Sequence, residues 1–236
     1  MKADVILAEL AAMGNEGTKR MLMKNHGVRE PCFGVKIGDM KTIVKRVKRD
    51  HELALALYAS GNYDAMYLAG LIADDERMTR ADLNRWVKAA YAGGLAGTTV
   101  PTVAAEGRHG WELALRWIES RHAHIASAGW STLSCLVALK ADDELDLRHL
   151  RLLIERVAQG IHQAQGPVAY AMNNFVISVG CYVKSLTAFA IGKAERIGTV
   201  TAGLGDNNCR IPYAPDYIRK VEKRGSIGRK RRTVKC

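Results

Sequence analysis

The chain has few aromatic residues, few prolines and no paired cysteines, and each shortage narrows what it can be. Aromatics make up 6% of its 236 residues, while Ala and Leu are abundant. That balance suits close helix–helix packing better than a β-sandwich. No stretch alternates apolar and polar residues with period two, so a sheet has no obvious strands. Cys32, Cys135, Cys181, Cys209 and Cys236 are scattered, odd in number and without a CxxC pair. This argues against a disulfide framework and a zinc site, and makes a reducing cytoplasm the expected location. No run approaches the roughly 18 apolar residues of a membrane span. Asp4 and Glu9 interrupt the opening apolar stretch, which therefore reads as a helix and not a signal peptide. There is no P-loop, GxGxxG, HExxH or GxSxG motif. His109, His122, His124, His149 and His162 lack metal-ligand spacing and read as surface or packing residues. No metal or cofactor is expected.

What is present is helical. Hydrophobic residues make up 48% of the chain, enough to bury a sizeable core. Val5, Ile6, Leu10 and Met13 form a helical stripe, ended by Gly14 and Asn15. After a short helix to about Asn25, the loop HGVREPCFGVKIG leads to a helix that Asp39 can cap. Its apolar side is Met40, Ile43, Val44 and Val47, with Lys41, Lys45, Arg46, Lys48 and Arg49 mostly turned away. Further helices are expected at 51–60, 62–73, 79–92, 98–106, 110–119, 122–138, 146–159, 168–183 and 184–197. Thr79 is the expected N-cap of the third of these, with Asp82 three residues on. The pairs recur at roughly 35–40 residues, near the HEAT and armadillo period. The expected fold is therefore all-α: a HEAT-like helical-repeat solenoid over residues 1–198, in which stacking buries each pair's apolar side and leaves a concave surface. A globular helical bundle is the structural alternative. Residues 199–236 are expected to be an irregular Gly/Asn/Asp/Pro segment, a short helix from Asp216, and a basic tail that is extended or disordered when alone.

The net charge of +11 is concentrated at that end. The last eighteen residues hold nine Lys or Arg against one acid, Glu222, which leaves only +3 for residues 1–218. Arg219, Lys220, Lys223, Arg224, Arg229, Lys230, Arg231 and Arg232, with Lys41, Lys45 and Lys48, are the candidate phosphate contacts. A solvated tail or an anionic-membrane contact are the competing readings. An exposed aromatic such as Trp111 can stack on a nucleobase, whereas Trp86, Trp117 and Trp130 read as core. Asn173 and Asn174 interrupt an apolar helix. They either face a groove or tie one repeat to the next.

Three stretches carry a family resemblance: PCFGVKIGDMKTIVKRV, GWELALRWIESRHAHIASAGWSTLS and PYAPDYIRKVEKRGSIGRKRRTVKC. On these the chain resembles the bacterial DNA alkylation repair proteins of the HEAT-like-repeat alkylpurine DNA glycosylase superfamily. The resemblance implies a monomeric helical solenoid holding alkylated or otherwise damaged duplex DNA in a concave basic groove, without a membrane or cofactor. It also implies excision of N-alkylated purines, with a carboxylate and aromatic faces stabilising the cationic sugar. Active members carry a Trp-Asp-x-x-Asp-like run. The corresponding stretch here, GTTVPTVAAEG, offers Thr98, Thr99, Pro101 and Thr102, with Glu106 as the nearest acid. The expected Arg falls near Ser127, and a later Trp falls near Tyr182. Three readings follow: a divergent glycosylase using Glu106 and Tyr182; a DNA binder without base excision that recognises damaged or branched DNA by shape and phosphate contact; or a helical scaffold for protein partners.

Overall fold

The computed structural model describes residues 2–201 and 211–235. Among these there are thirteen α-helices, several short 3-10 turns, one π-helical turn and no strand. The all-α expectation holds. The chain forms two compact units: residues up to His109 together with Lys235, and Gly110–Val234. Most of the Gly/Asn-rich segment expected to be irregular, residues 202–210, lies outside the described residues.

The first unit contains α1 (Ala3–Ala12), α2 (Glu16–His26), α3 (Ile37–Val47), α4 (His51–Ala59), α5 (Tyr63–Ile72), α6 (Arg80–Ala89) and α7 (Val100–Glu106). Helix α5 is its axis: apart from half-exposed Leu71, every residue of α5 is buried, and α1, α3, α4 and α7 all pack against it. Side-chain caps start several helices. Asn15, Asp50 and Asn62 each accept a backbone N–H from the first turn that follows. Thr79 and Asp82 make the reciprocal capping box the sequence suggested. Helix α3 departs from expectation. It begins at Ile37 with Lys36 at its N-cap, and Asp39 sits inside its first turn. Val35 is already anchored and Lys36 is extended, so the cap and the helix start fall three residues earlier, where the Asp39 charge still complements the N-terminal dipole.

That anchor is Asp64. Its carboxylate is fully buried and accepts the N–H groups of Phe33 (2.6 Å), Gly34 (3.1 Å) and Val35 (2.8 Å). The Phe-Gly-Val turn is thus folded around one side chain of α5. Gly34 has φ +78°, and a Cβ there would lie 2.5 Å from the Asn15 carbonyl oxygen, so only glycine fits.

The second unit contains α8 (Gly110–Trp117), α9 (Ala123–Leu139), α10 (Leu147–Gly160), α11 (Gly166–Tyr182), α12 (Thr187–Ile197) and α13 (Ala214–Lys223). Helix α9 packs chiefly against α8 and α11, with Trp130 set against Phe175 at 5.2 Å between ring centroids. Helical spacing in LDLRHLRLLIERV predicts one stripe of Leu147, Leu150, Leu153, Ile154 and Val157; on α10 the last four are buried and Leu147 is half-exposed. Helix α13 starts at Ala214, two residues before the expected Asp216, because Pro215 is accommodated in a first turn that needs no N–H from it. Ile218 then seats on Gly180 of α11, where a Cβ would stand 2.5 Å from Ile218 Cδ1.

The residues after α13 pass through two turns, at 224–225 and 227–228, then run on without regular structure, and they are anchored. The Gly228 N–H donates to the Cys181 carbonyl (2.8 Å), the Arg231 N–H to Ala138 (2.8 Å) and Lys230 Nζ to Val137 (2.9 Å). These three carbonyls belong to the last turns of α9 and α11, whose C-terminal groups lack partners within their own helices.

The Asp64 arrangement yields a prediction. Asp64→Ala strands three loop N–H groups and should lower the unfolding free energy by about 3 kcal/mol or more, read from urea denaturation. Asp64→Asn keeps one acceptor oxygen and should lose less. An unchanged midpoint for both would show that the loop does not depend on this carboxylate.

Candidate nucleic-acid interface

In the first unit, α3 presents Lys41 and Lys45 to solvent, opposite buried Met40 and Ile43, and exposed Lys48 follows as its C-cap. Arg46, on the same helix, is ion-paired with Glu9. Among the described residues the three lysines form no ion pair. They are a cationic face of the kind the amphipathic pattern predicted.

In the second unit, the expected cations divide into two groups. Arg219 pairs with Glu195. Lys230 lies between Asp142 (2.8 Å) and the Val137 carbonyl, its side chain only 21% exposed. Arg231 Nε donates to the Tyr182 hydroxyl (2.9 Å). These three hold the fold together. Lys220, Lys223, Arg224, Arg229 and Arg232 are exposed, and among the described residues they form no ion pair. Composition presents the tail as one dense patch, but among the described residues only part of its charge is uncommitted.

The candidate groove residues fall into similarly distinct environments. Thr99, Thr102 and Ser127 are buried, and each hydroxyl donates to a carbonyl of its own helical segment: Gly94, Thr99 and His124. Trp111 is half-buried and meets the edge of His149 at 5.6 Å. Trp86, Trp117 and Trp130 are core residues, as expected. Asn173 is buried and its amide donates to the Pro212 carbonyl (2.9 Å), tying α11 to the start of α13. Asn174 is half-exposed.

The two candidate catalytic residues lie in different units. Glu106 ends α7, half-buried, and accepts the backbone N–H of Lys235 (3.4 Å). Tyr182 ends α11 and is the acceptor for Arg231. Burial pushes the thiols of Cys32 and Cys181 up to about 12 and about 11, so neither is a thiolate nucleophile at neutral pH.

Two features escaped the sequence. The first is Lys235, whose Nζ pairs with buried Asp75 (2.7 Å) and donates to the Ala73 carbonyl (3.2 Å). No local spacing signals a pair so far apart in sequence. The second is a cluster on α10 and α12, where Arg151 lies over Phe189 at 3.9 Å and Lys193, ion-paired with Glu155, approaches the same ring at 5.4 Å. Arg148 and Arg151, opposite the leucine stripe of α10, were the legible signal for it.

Similar proteins bear on this arrangement. A family model described as DNA alkylation repair enzyme matches residues 6–199. The uncharacterized protein Lin0241 of Listeria innocua is 30% identical over 227 residues, covering 94% of this chain and 97% of that protein. The uncharacterized protein Lmo0209 of Listeria monocytogenes is 29% identical over 227 residues with the same coverage. A solved structure from "a new family of proteins related to the HEAT-like repeat DNA glycosylases with affinity for branched DNA structures" matches over 100% of both chains, with TM-score 0.93 and 36% identity. The HEAT-like fold expected from the sequence is therefore shown.

The Lys235–Asp75 pair generates a prediction. Burial raises the Asp75 carboxyl above the usual carboxylate range and Glu106 adds to this, while Lys235 and Arg49 oppose it. Lys235→Ala should cost about 3 kcal/mol at neutral pH by stranding a buried carboxylate. A carboxyl raised in the folded state contributes most to stability below its unfolded value, and that contribution is lost as pH rises through its folded value. The Lys235→Ala deficit should therefore shrink on acidification, and Asp75→Asn in the same chain should remove most of it. A deficit indifferent to both would assign Lys235 no electrostatic role.

Proposed function

The chain belongs to the DNA alkylation repair enzyme family, and from that premise we propose that it is a DNA-binding protein that recognises damaged or branched DNA by shape and phosphate contact and excises no base. The observation that carries the reading is the state of the 97–107 segment, where the resemblance puts the Trp–Asp run. Its threonines Thr99 and Thr102 are buried and hydrogen-bonded to their own helix, and its one carboxylate, Glu106, is engaged by Lys235. A carboxylate that stabilises a cationic sugar must reach the reacting centre at the moment charge develops. The affinity of the solved relative for branched DNA supports the same reading.

Binding then rests on exposed cations. Phosphates neutralised by Lys and Arg release condensed counterions, which makes affinity steeply salt-dependent and largely indifferent to sequence. The uncommitted groups are Lys41, Lys45 and Lys48 on the first unit and Lys220, Lys223, Arg224, Arg229 and Arg232 on the second. Arg219, Lys230 and Arg231 have structural partners, so they add to the field more than to direct contact.

The test is point substitution, because removing the tail would also uncap α9 and α11. Changing Lys220, Lys223, Arg224, Arg229 and Arg232 to Ala should leave the fold intact and weaken DNA binding sharply at low salt. The slope of log K against log salt should fall by about 0.9 for each lost duplex contact. Lys41→Ala, Lys45→Ala and Lys48→Ala together should lower it further. An unchanged slope in both sets would remove these cations from the interface. Methylated duplex DNA should be bound without release of 7-methylguanine or 3-methyladenine. Release that Glu106→Gln abolishes would establish the divergent-glycosylase reading instead.

A further inference from the structure

Helix α13 uses one face for packing. Ala214, Pro215 and Ile218 are buried, and Ile218 fills the space above Gly180. On the opposite side Tyr217 is 50% exposed, and Tyr213, the N-cap residue just before the helix, is 39% exposed. Exposed Lys220 and Arg224 continue the same line. At about 100° per residue, Tyr217, Lys220 and Arg224 fall within an arc of about 60°, and the N-cap Tyr213 precedes Tyr217 by four residues. The result is a straight stripe of two aromatic rings followed by two cations. Lys223 and one acid, Asp216, stand on its flank, while Arg219 is committed to Glu195. The start of the stripe is fixed in place: Asn173 holds the carbonyl of Pro212, immediately before Tyr213.

Both tyrosines are more than a third exposed, while the buried contacts of α13 are made by Ala214, Pro215 and Ile218. Apolar rings left in water next to uncommitted cations call for a partner that is both flat and anionic. We propose that this stripe is a stacking platform for unpaired nucleobases, with the DNA backbone carried past Lys220 and Arg224. The proposal rests on the DNA-binding reading above and specifies which part of a branched substrate α13 takes. Bases inside a duplex are already stacked on their neighbours. Bases at a junction or in a single strand have free faces, and an aromatic side chain recovers the lost stacking whatever the base.

The experiment compares the native protein, the double variant Tyr213→Ala/Tyr217→Ala and the variant Tyr217→Phe on three probes. These are a blunt duplex, a single-stranded oligonucleotide of the same length, and a three-way junction with 2-aminopurine unpaired at its branch point. The double variant should lose about tenfold or more on the two probes with unpaired bases and little on the duplex. Its salt slope should match the native one, because stacking releases no counterions. Native protein and Tyr217→Phe should quench 2-aminopurine fluorescence, and the double variant should not. Both tyrosines are exposed, so thermal unfolding should be unchanged. Full affinity of the double variant for unpaired DNA, or equal loss on all three probes, would overturn the platform while leaving DNA binding standing. If the native protein binds none of the probes, the platform and the DNA-binding reading fall together.

Discussion

Backbone groups left without partners at helix ends are the constraint that organises this molecule. An all-helical chain has many such ends, and each buried one must find a donor or acceptor from somewhere else. Short-range caps from Asn15, Asp50, Asn62 and Thr79 answer part of the demand. The rest is met across long sequence distances. Asp64 supplies one carboxylate to three N–H groups of the 33–35 turn. The residues after α13 supply N–H and ammonium donors to the last carbonyls of α9 and α11. A cation at a helix C-terminus also meets the favourable end of the dipole, so Lys230 serves both needs at once.

This requirement divides the positive charge. Counted from composition, the tail is a uniform polycation. In the folded chain Arg219, Lys230, Arg231 and Lys235 are held by Glu195, Asp142, Tyr182 and Asp75, respectively. Lys220, Lys223, Arg224, Arg229 and Arg232 are left for a polyanion. The anchored residues set where the open ones stand, so the tail as far as Val234 is an arm of the second unit whose cations have defined positions before any ligand arrives.

The fold was legible because amphipathic period, capping residues and low aromatic content all pointed the same way. Helices were readable from stripes such as Leu150, Leu153, Ile154 and Val157, and the start of α6 from Thr79 with Asp82. The starts of α3 and α13 were not, because a tertiary anchor fixed one and a first-turn proline disguised the other. The candidate site was legible in kind and not in detail. Charge and family resemblance named the cations. Whether each cation serves the fold or a ligand depends on acids and carbonyls far away in sequence. Asn173 shows the same limit: its amide could be read as groove-facing or structural, and only the Pro212 carbonyl assigns it a bond.

The Lys235–Asp75 pair has a consequence for how the protein is made. Ribosomes deliver the chain from its N-terminus, and domains fold as they emerge. Asp75 belongs to a unit complete in sequence by His109, except for a counter-ion that is translated only after the entire second unit. A first unit that folded before Lys235 was made would hold a buried acid with no ammonium beside it, and that single late lysine would complete it.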